Sequence, residues 1–453
     1  MTDSITRLTA AELSSAYADR RLSPTEVLTA VLDHIDHANP SVNAFALLDP
    51  DTAKAAARQS ETRWMRQQPL GPLDGVPGAV KDLLLAKGWP TRRGSLAVNP
   101  DQAWDEDASV VARLREEGVV LLGKTTTAEY GAKGDTENPL TGVTRNPWNP
   151  DKSPGGSSGG AAVAAALGFG PIQIGTDGGG SIRQPASFTG TVGFKPSYGL
   201  VPCYPAAFRG SLFHVGPIAR SVMDVAMILN AITKPDDRDW YAHPYHQRDW
   251  RLGLEDGVRG LRIAFSPDLG YAKVDPEVAS IVAAGVALFA ELGAMVEIAS
   301  PGFEDPLPIA QGLTAVGAHR QVKTFSPEQQ DRIGPDLRAM WQMGKKIDID
   351  AYLSLTEQRA ALGRALNRFH RDWDLLVTPT TPHPAFDSGS APTSCPFTYP
   401  FNLTQQPAIS IPVGFTSQGL PVGLQIVGPH LKGDQLVLQA ARAFERIRPF
   451  KFP

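Results

Sequence analysis

The chain has 453 residues, 42% hydrophobic and 20% charged, with 43 Lys and Arg against 47 Asp and Glu for a formal net charge of -4. This is the composition of a globular protein long enough to bury a large core, and it lacks the basic excess or stripe of a nucleic-acid binder. Only Cys203 and Cys395 are present, too few for a disulfide framework or a thiolate metal quartet, so a reducing cytoplasm is the expected setting.

The first residues, Met1-Thr-Asp-Ser-Ile-Thr-Arg7, lack the basic and apolar regions of a secretory leader. Residues 8–17 and 24–38 then read as amphipathic helices, with Ser23 as N-cap and Pro24 at the first helical position. Residues 1–60 thus form a helical arm, which packs either on the core or on a second copy of the chain; the second use would make a homodimer. From Gly75 onward short apolar strands alternate with helices: an apolar run at 79–85, a helix at 108–117, a strand at 119–122, a helix at 160–167 and a strand at 171–174. The weakly polar run 159–175 is too short and too rich in small residues to cross a membrane, and no membrane association is expected.

A second such unit follows, with a strand at 261–265, a helix opened by Asp275-Pro276 and a strand at 295–298. Periodicity is lost over 301–335 and returns as a helix over 341–369, followed by a strand at 375–377. Residues 378–400 are rich in Pro, Thr and Ser and read as a long ordered loop walling a pocket. Residues 408–415 and 420–427 read as adjacent strands or a hairpin. The expected architecture is α/β, a large mixed sheet with helices on both faces. We find no repeat or linker, so 1–453 is expected to be one domain, with 61–453 as its catalytic core.

Two motifs mislead. Gly118-Val-Val-Leu-Leu-Gly-Lys-Thr125 has the letters of a phosphate-binding loop, but its variable positions form an apolar strand that cannot wrap an anion. Gly156-Ser-Ser-Gly-Gly160 has the letters of a nucleophile elbow, but it follows the turn-rich 149–154 rather than a strand, and no His-Gly-Gly-Gly segment accompanies it. His214 and His383 lie near Gly- and Pro-rich segments and read as structural, the role of His214 staying open. His243 and His246 have no third ligand at metal-binding spacing. No metal and no organic cofactor is expected.

The chemistry concentrates in Ser153-Pro-Gly-Gly-Ser-Ser-Gly-Gly160 and Gly175-Thr-Asp-Gly-Gly-Gly-Ser-Ile-Arg183. A serine behind three glycines has backbone N–H groups free to face an oxyanion, but it needs a base to become a nucleophile. Lys81, in Gly75-Val-Pro-Gly-Ala-Val-Lys-Asp-Leu-Leu-Leu85, admits two readings. It is a solvated lysine at a strand end, or a desolvated one whose lowered pKa lets it accept a proton.

These segments resemble the amidase signature family of serine hydrolases. The resemblance rests on 155–160 and 177–185, with support from Gly75-Val-Pro77, Val80-Lys-Asp82, Gly123-Lys-Thr125, Arg145-Asn-Pro-Trp148 and 419–428. It extends over about residues 8–448. It implies Ser181 as nucleophile, Ser157 as bridging serine after a cis peptide, and Lys81 as base. Gly178, Gly179 and Gly180, with the Ser181 N–H, would form the oxyanion hole. Ser158 would support the network, and Asp177 and Arg183 would hold the loop unless they are a solvated turn pair.

The implied reaction is hydrolysis of a small-molecule carboxylic amide through an acyl-enzyme. Substrate contacts are expected from Thr125, Phe208, Phe213 and Trp341, within walls drawn from 125–130, 208–213, 310–345 and the Pro-rich loop, whose aromatic character leans toward an aryl or aliphatic amide. Two other functions compete: the glutamine-using subunit of a tRNA-dependent amidotransferase, and a binding protein without catalysis. The segment 340–353 looks closer to the stand-alone amidases, and the intact Lys81, Ser157 and Ser181 speak against a loss of catalysis.

Overall fold

The computed structural model describes residues 5–391 and 395–453. Residues 1–4, where the reading of the leader begins, and 392–394 of the Pro-rich loop lie outside the described residues.

The arm forms as its caps dictate. Ser23 accepts the Glu26 N–H while the Glu26 carboxylate accepts the Ser23 N–H, and Thr9 and Glu12 make the same reciprocal box. The helices are Ala10–Ala18 and Pro24–Val42, the second running a turn past expectation through Pro40. Leu13, Tyr17, Val27, Leu28, Val31 and Ile35 are buried in the main core. The Ala10 N–H also donates to Asp224 Oδ1 at 2.8 Å. Of the two uses open to the arm, packing on the core is the one observed.

Eleven strands form one sheet. They are β1 (Phe45–Leu48), β2 (Pro77–Lys81), β3 (Val120–Thr125), β6 (Ile172–Asp177), β7 (Val192–Lys195), β8 (His214–Ala219), β9 (Arg262–Phe265), β10 (Met295–Ile298), β11 (Leu375–Pro379), β12 (Ala408–Phe415) and β13 (Pro421–Val427). A small separate hairpin pairs β4 (Glu137–Asn138) with β5 (Gly142–Val143). The sheet order is β1-β3-β2-β6-β8-β7-β12-β13-β11-β9-β10. β3, β2 and β6 are parallel, as are β11, β9 and β10, whereas the strands between these wings are antiparallel. The wings are the two α/β units visible in the sequence. The antiparallel bridge includes the expected 408–427 hairpin together with β7 and β8, which the sequence hides. β8 reads His-Val-Gly-Pro-Ile-Ala, and its Gly216 is required because a Cβ there would lie 2.2 Å from the Phe194 carbonyl oxygen.

The motif with phosphate-loop letters is β3, buried along its length. Lys124 is enclosed at 3.1 Å from Asp82 Oδ1 and 2.8 Å from the Leu84 carbonyl, with the Thr91 hydroxyl as a further partner. Burial lowers its pKa to about 8, against the opposing pull of Asp82.

The carboxyl half holds two corrections. Residues 301–335, without visible period, contain helix Leu307–Val322 and the short helix Pro327–Asp331. The longer one packs against several neighbours, so its apolar residues do not line up in one stripe. The helix expected over 341–369 is two, Pro335–Gly344 and Ile349–Phe369. The Asp348 carboxylate restarts the second by accepting the Ala351 N–H at 2.8 Å.

Candidate active site

β2 and β6 run parallel side by side and end in Lys81 and Asp177. Both side chains therefore emerge at the carboxyl-terminal edge of the sheet, where open α/β sheets place their chemistry. Lys81 is fully buried, and its Nζ lies 2.7 Å from Ser157 Oγ, 2.8 Å from Ser158 Oγ and 3.0 Å from Thr176 Oγ1. The solvated reading of Lys81 is thereby overturned. Burial pushes its pKa well below that of an ordinary lysine; Asp177 opposes the shift and Arg209 adds to it.

The Ser158 hydroxyl also faces the Thr176 carbonyl at 3.1 Å, an acceptor for its proton. A neutral amine has two N–H donors and one lone pair. Donation to Ser158 and Thr176 leaves the lone pair for the Ser157 proton.

The Gly156–Ser157 peptide is cis, as the resemblance implies. The Ser158 N–H donates to the Ser181 carbonyl at 3.2 Å, tying the two serine segments together. Ser157 is buried, whereas Ser181 lines the cavity beside Gly156 and Gly178–Gly180.

Asp177 and Arg183 are both completely buried, so they are no solvated turn pair. Asp177 Oδ1 accepts the Gly180 N–H at 2.7 Å and Oδ2 the Ile182 N–H at 3.1 Å, fixing the residues on either side of Ser181. Arg183 places all five of its donors. Nε and one Nη2 hydrogen go to Asp177, the other Nη2 hydrogen to Asn402, and the Nη1 pair to the Thr398 carbonyl and Gln425. Burial alone would raise the Asp177 pKa, but the Arg183 charge and hydrogen bonds, helped by Lys195, hold it well below the carboxylate range.

This anchoring corrects one expectation. The Gly180 N–H, expected to face an oxyanion, is instead taken by Asp177. Gly180 is needed for another reason: its φ is +131°, and a Cβ would lie 2.3 Å from Thr398 Oγ1. Thr398, Asn402 and Gln425 escaped the sequence reading because each comes from more than 200 residues away to hold the Asp177–Arg183 segment.

The cavity in front of Ser181 measures about 460 Å³. Its walls come from 131–134, the glycine loop, Arg209, helices Leu307–Val322 and Pro335–Gly344, and Gly389, Ala391, Cys395 and Tyr399 of the Pro-rich loop and its end. Thr125, Phe208, Phe213 and Trp341 lie outside these walls. Thr125 is buried in β3 opposite Lys81, and Trp341 is buried against Ala318, Val322 and Leu337. Phe208 and Phe213 line a separate hollow with Tyr130 and Cys203. Met340, expected in the walls together with Trp341, does reach the cavity, as does Met343 on the same helix. Helical phase decided this, and it could not be assigned without knowing which face the neighbours cover.

His214 lies behind the loop. Its Nδ1 donates to the Leu212 carbonyl at 2.9 Å, and burial drives its pKa far below the ordinary histidine value. The ring packs edge-on against Tyr198.

An eleven-stranded mixed sheet thus carries a buried lysine against the Ser157-Ser158 loop, which the Ser158 N–H ties to the Ser181 segment. The Amidase family model matches residues 26–438. The acylamidase of Rhodococcus erythropolis is 36% identical over 98% of this chain and 96% of its own length. A glutamyl-tRNA(Gln) amidotransferase subunit from Moorella thermoacetica is 37% identical over 97% of this chain and 96% of its own length. The solved structure of a bacterial aryl acylamidase of the amidase signature family superposes with a TM-score of 0.92 at 31% identity, covering 98% of this chain and 96% of that one. The chain belongs to the amidase family and is an amide-bond hydrolase.

Proposed function

We propose that this chain hydrolyses a small-molecule carboxylic amide through an acyl-enzyme on Ser181. Neutral Lys81 takes the Ser157 proton as Ser157 takes that of Ser181, and Ser181 attacks the carbonyl carbon. The oxyanion meets the N–H groups of Gly178, Gly179 and Ser181. The proton returns through Ser157 to the leaving nitrogen, and the C–N bond breaks. Water, deprotonated by the same relay, then releases the acid and regenerates Ser181. The observation that carries this reading is the fully buried Lys81 Nζ in contact with three hydroxyls, 2.7 Å from that of Ser157. Labelling with a fluorophosphonate tests it: Ser181→Ala should lose all covalent label, and retained labelling would overturn the assignment.

A second reading, glutamine hydrolysis for a tRNA-dependent amidotransferase, is favoured by the likeness to the Moorella protein. Ammonia release from glutamine by the isolated chain, and its stimulation by partner subunits, would support it over free amide hydrolysis. We read residues 1–453 as one catalytic unit, because β1 follows the helices of the arm directly and joins the sheet of the core. Two free cysteines suit a cytoplasmic setting. Among the described residues no helix is long and apolar enough to cross a membrane. The apolar faces of the arm are occupied by the core, so a homodimer would use a different surface.

A further inference from the structure

Among the described residues, three charged side chains reach the cavity in front of Ser181: Lys133, Arg209 and Asp336. Lys133 pairs with Glu137 and lies 3.5 Å from Asp336, so those charges offset one another. Arg209 differs. Among the described residues no carboxylate is in ion-pair contact with it, and it donates to the Gly131 carbonyl at 2.8 Å and the Thr314 hydroxyl at 3.2 Å. Asp177, its electrostatic neighbour, is committed to Arg183. A guanidinium presents five donors in a planar fork, so three remain available to a ligand. Burial lowers its pKa to about 10, which leaves it charged at neutral pH.

Its position brings that charge next to the chemistry. A Cβ on Gly178 would lie 2.5 Å from Arg209 Cδ and 3.2 Å from its Nε. Gly131, whose carbonyl Arg209 holds, is so close to Ser157 that a Cβ there would lie 3.0 Å from Ser157 Oγ. Arg209 therefore borders the glycine loop directly and is linked to the relay serine through Gly131. Much of the remaining wall is apolar, from Leu307, Ala310, Ala339, Met340 and Met343. An unpaired cation in such surroundings is costly until an anion joins it.

We propose that Arg209 is a specificity-determining residue that binds a carboxylate on the substrate, so that amides bearing a carboxylate near the scissile bond are hydrolysed in preference to neutral isosteres. The proposal rests on the reading of Ser181 as nucleophile. The carboxylate can sit on the acyl side, as in the monoamide of a dicarboxylic acid, or on the amine side, as in an N-acyl amino acid.

Three substrates separate these sources: N-pentanoylaniline, the monoanilide of glutaric acid, and N-pentanoyl-3-aminobenzoate. A carboxylate-bearing substrate should exceed the neutral one in kcat/KM by about 10- to 100-fold, the range for a charge-assisted hydrogen bond. The preferred arm identifies the side. Arg209→Gln should bring the ratio toward one, whereas Arg209→Lys, with a point charge in place of the fork, should keep part of it. A residue that merely clamped the loop would lower all three rates together and leave the ratio unchanged.

A pair of alkyl fluorophosphonates of equal length, one ending in carboxylate and one in methyl, adds a readout independent of turnover. If neither labels Ser181, the nucleophile assignment fails and this proposal falls with it. If both label at equal rates and neither carboxylate-bearing anilide is preferred, amide hydrolysis stands and the role of Arg209 is overturned. A preference that survives in Arg209→Gln overturns it as well.

Discussion

Replacing Asp177 by Asn keeps the volume of the side chain and removes its charge. The groups facing its two oxygens are donors: Gly180 N, Asn402 Nδ2 and Arg183 Nη2 at Oδ1, and Ile182 N and Arg183 Nε at Oδ2. Whichever way the amide is turned, its NH2 must point at N–H groups, and Arg183 loses the carboxylate that pairs with it. Breaking one side of a buried ion pair costs about 3–5 kcal/mol. With about 2.1 cal/mol/K of unfolding entropy per residue over 453 residues, a loss of about 4 kcal/mol lowers Tm by about 4 °C. The second consequence is chemical. Asp177 holds the residues on both sides of Ser181, and displacement of a reacting group by about 1 Å costs on the order of 10²-fold in rate. Calorimetry and the rate of fluorophosphonate labelling measure the two effects separately. An Asp177→Asn variant with unchanged Tm and an unchanged labelling rate would refute this account of the loop. Adding Arg183→Met should recover part of the lost Tm, because the second change removes the stranded charge.

Lys81→Met should slow labelling of Ser181 by about 10²- to 10⁴-fold, the usual contribution of a positioned base, with circular dichroism checking the fold. In the intact enzyme kcat/KM should fall as pH drops through the Lys81 pKa, since protonation removes the lone pair. Burial places that pKa well below 10.5. A profile that reaches its plateau only near that value would contradict a desolvated base. Asp224, fully buried against Ala10 of the arm, has a carboxyl pushed up by burial from 3.8 to about 7. A raised acid pKa means that the folded state holds the proton longer than the unfolded one, so this group's contribution to stability falls as pH rises from about 4 to about 7. At 1.36 kcal/mol per pH unit the change is about 4 kcal/mol. Asp224→Asn should flatten that part of the curve in denaturant titrations, and an unchanged slope would contradict the burial of an ionisable group there.

Much of the site was legible because its chemistry is written in contiguous residues. The glycines before Ser181, the Ser157-Ser158 pair and the apolar run around Lys81 each depend on local sequence. So do the caps at Ser23 and Asp275, where a side chain bonds the backbone of its own first turn. The failures share another cause. Helix Leu307–Val322 has no single apolar stripe, β8 carries Gly and Pro, and Trp341 and Met340 are neighbours in sequence that point to different places.

The sequence by itself determined the α/β character of the two wings and the strand nature of 119–122, because strand, cap and turn signals act over a few residues, and it pointed to Lys81, Ser157 and Ser181 through contiguous motifs. Only the tertiary structure decided that Lys81 is dry and meets Ser157, that the Gly180 N–H belongs to Asp177, and that Arg209 lines the cavity in front of Ser181 with no carboxylate in ion-pair contact among the described residues. Each of these depends on burial and on partners far along the chain. Desolvation and ion pairing are properties of the assembled molecule, set by what the fold places within a few ångströms.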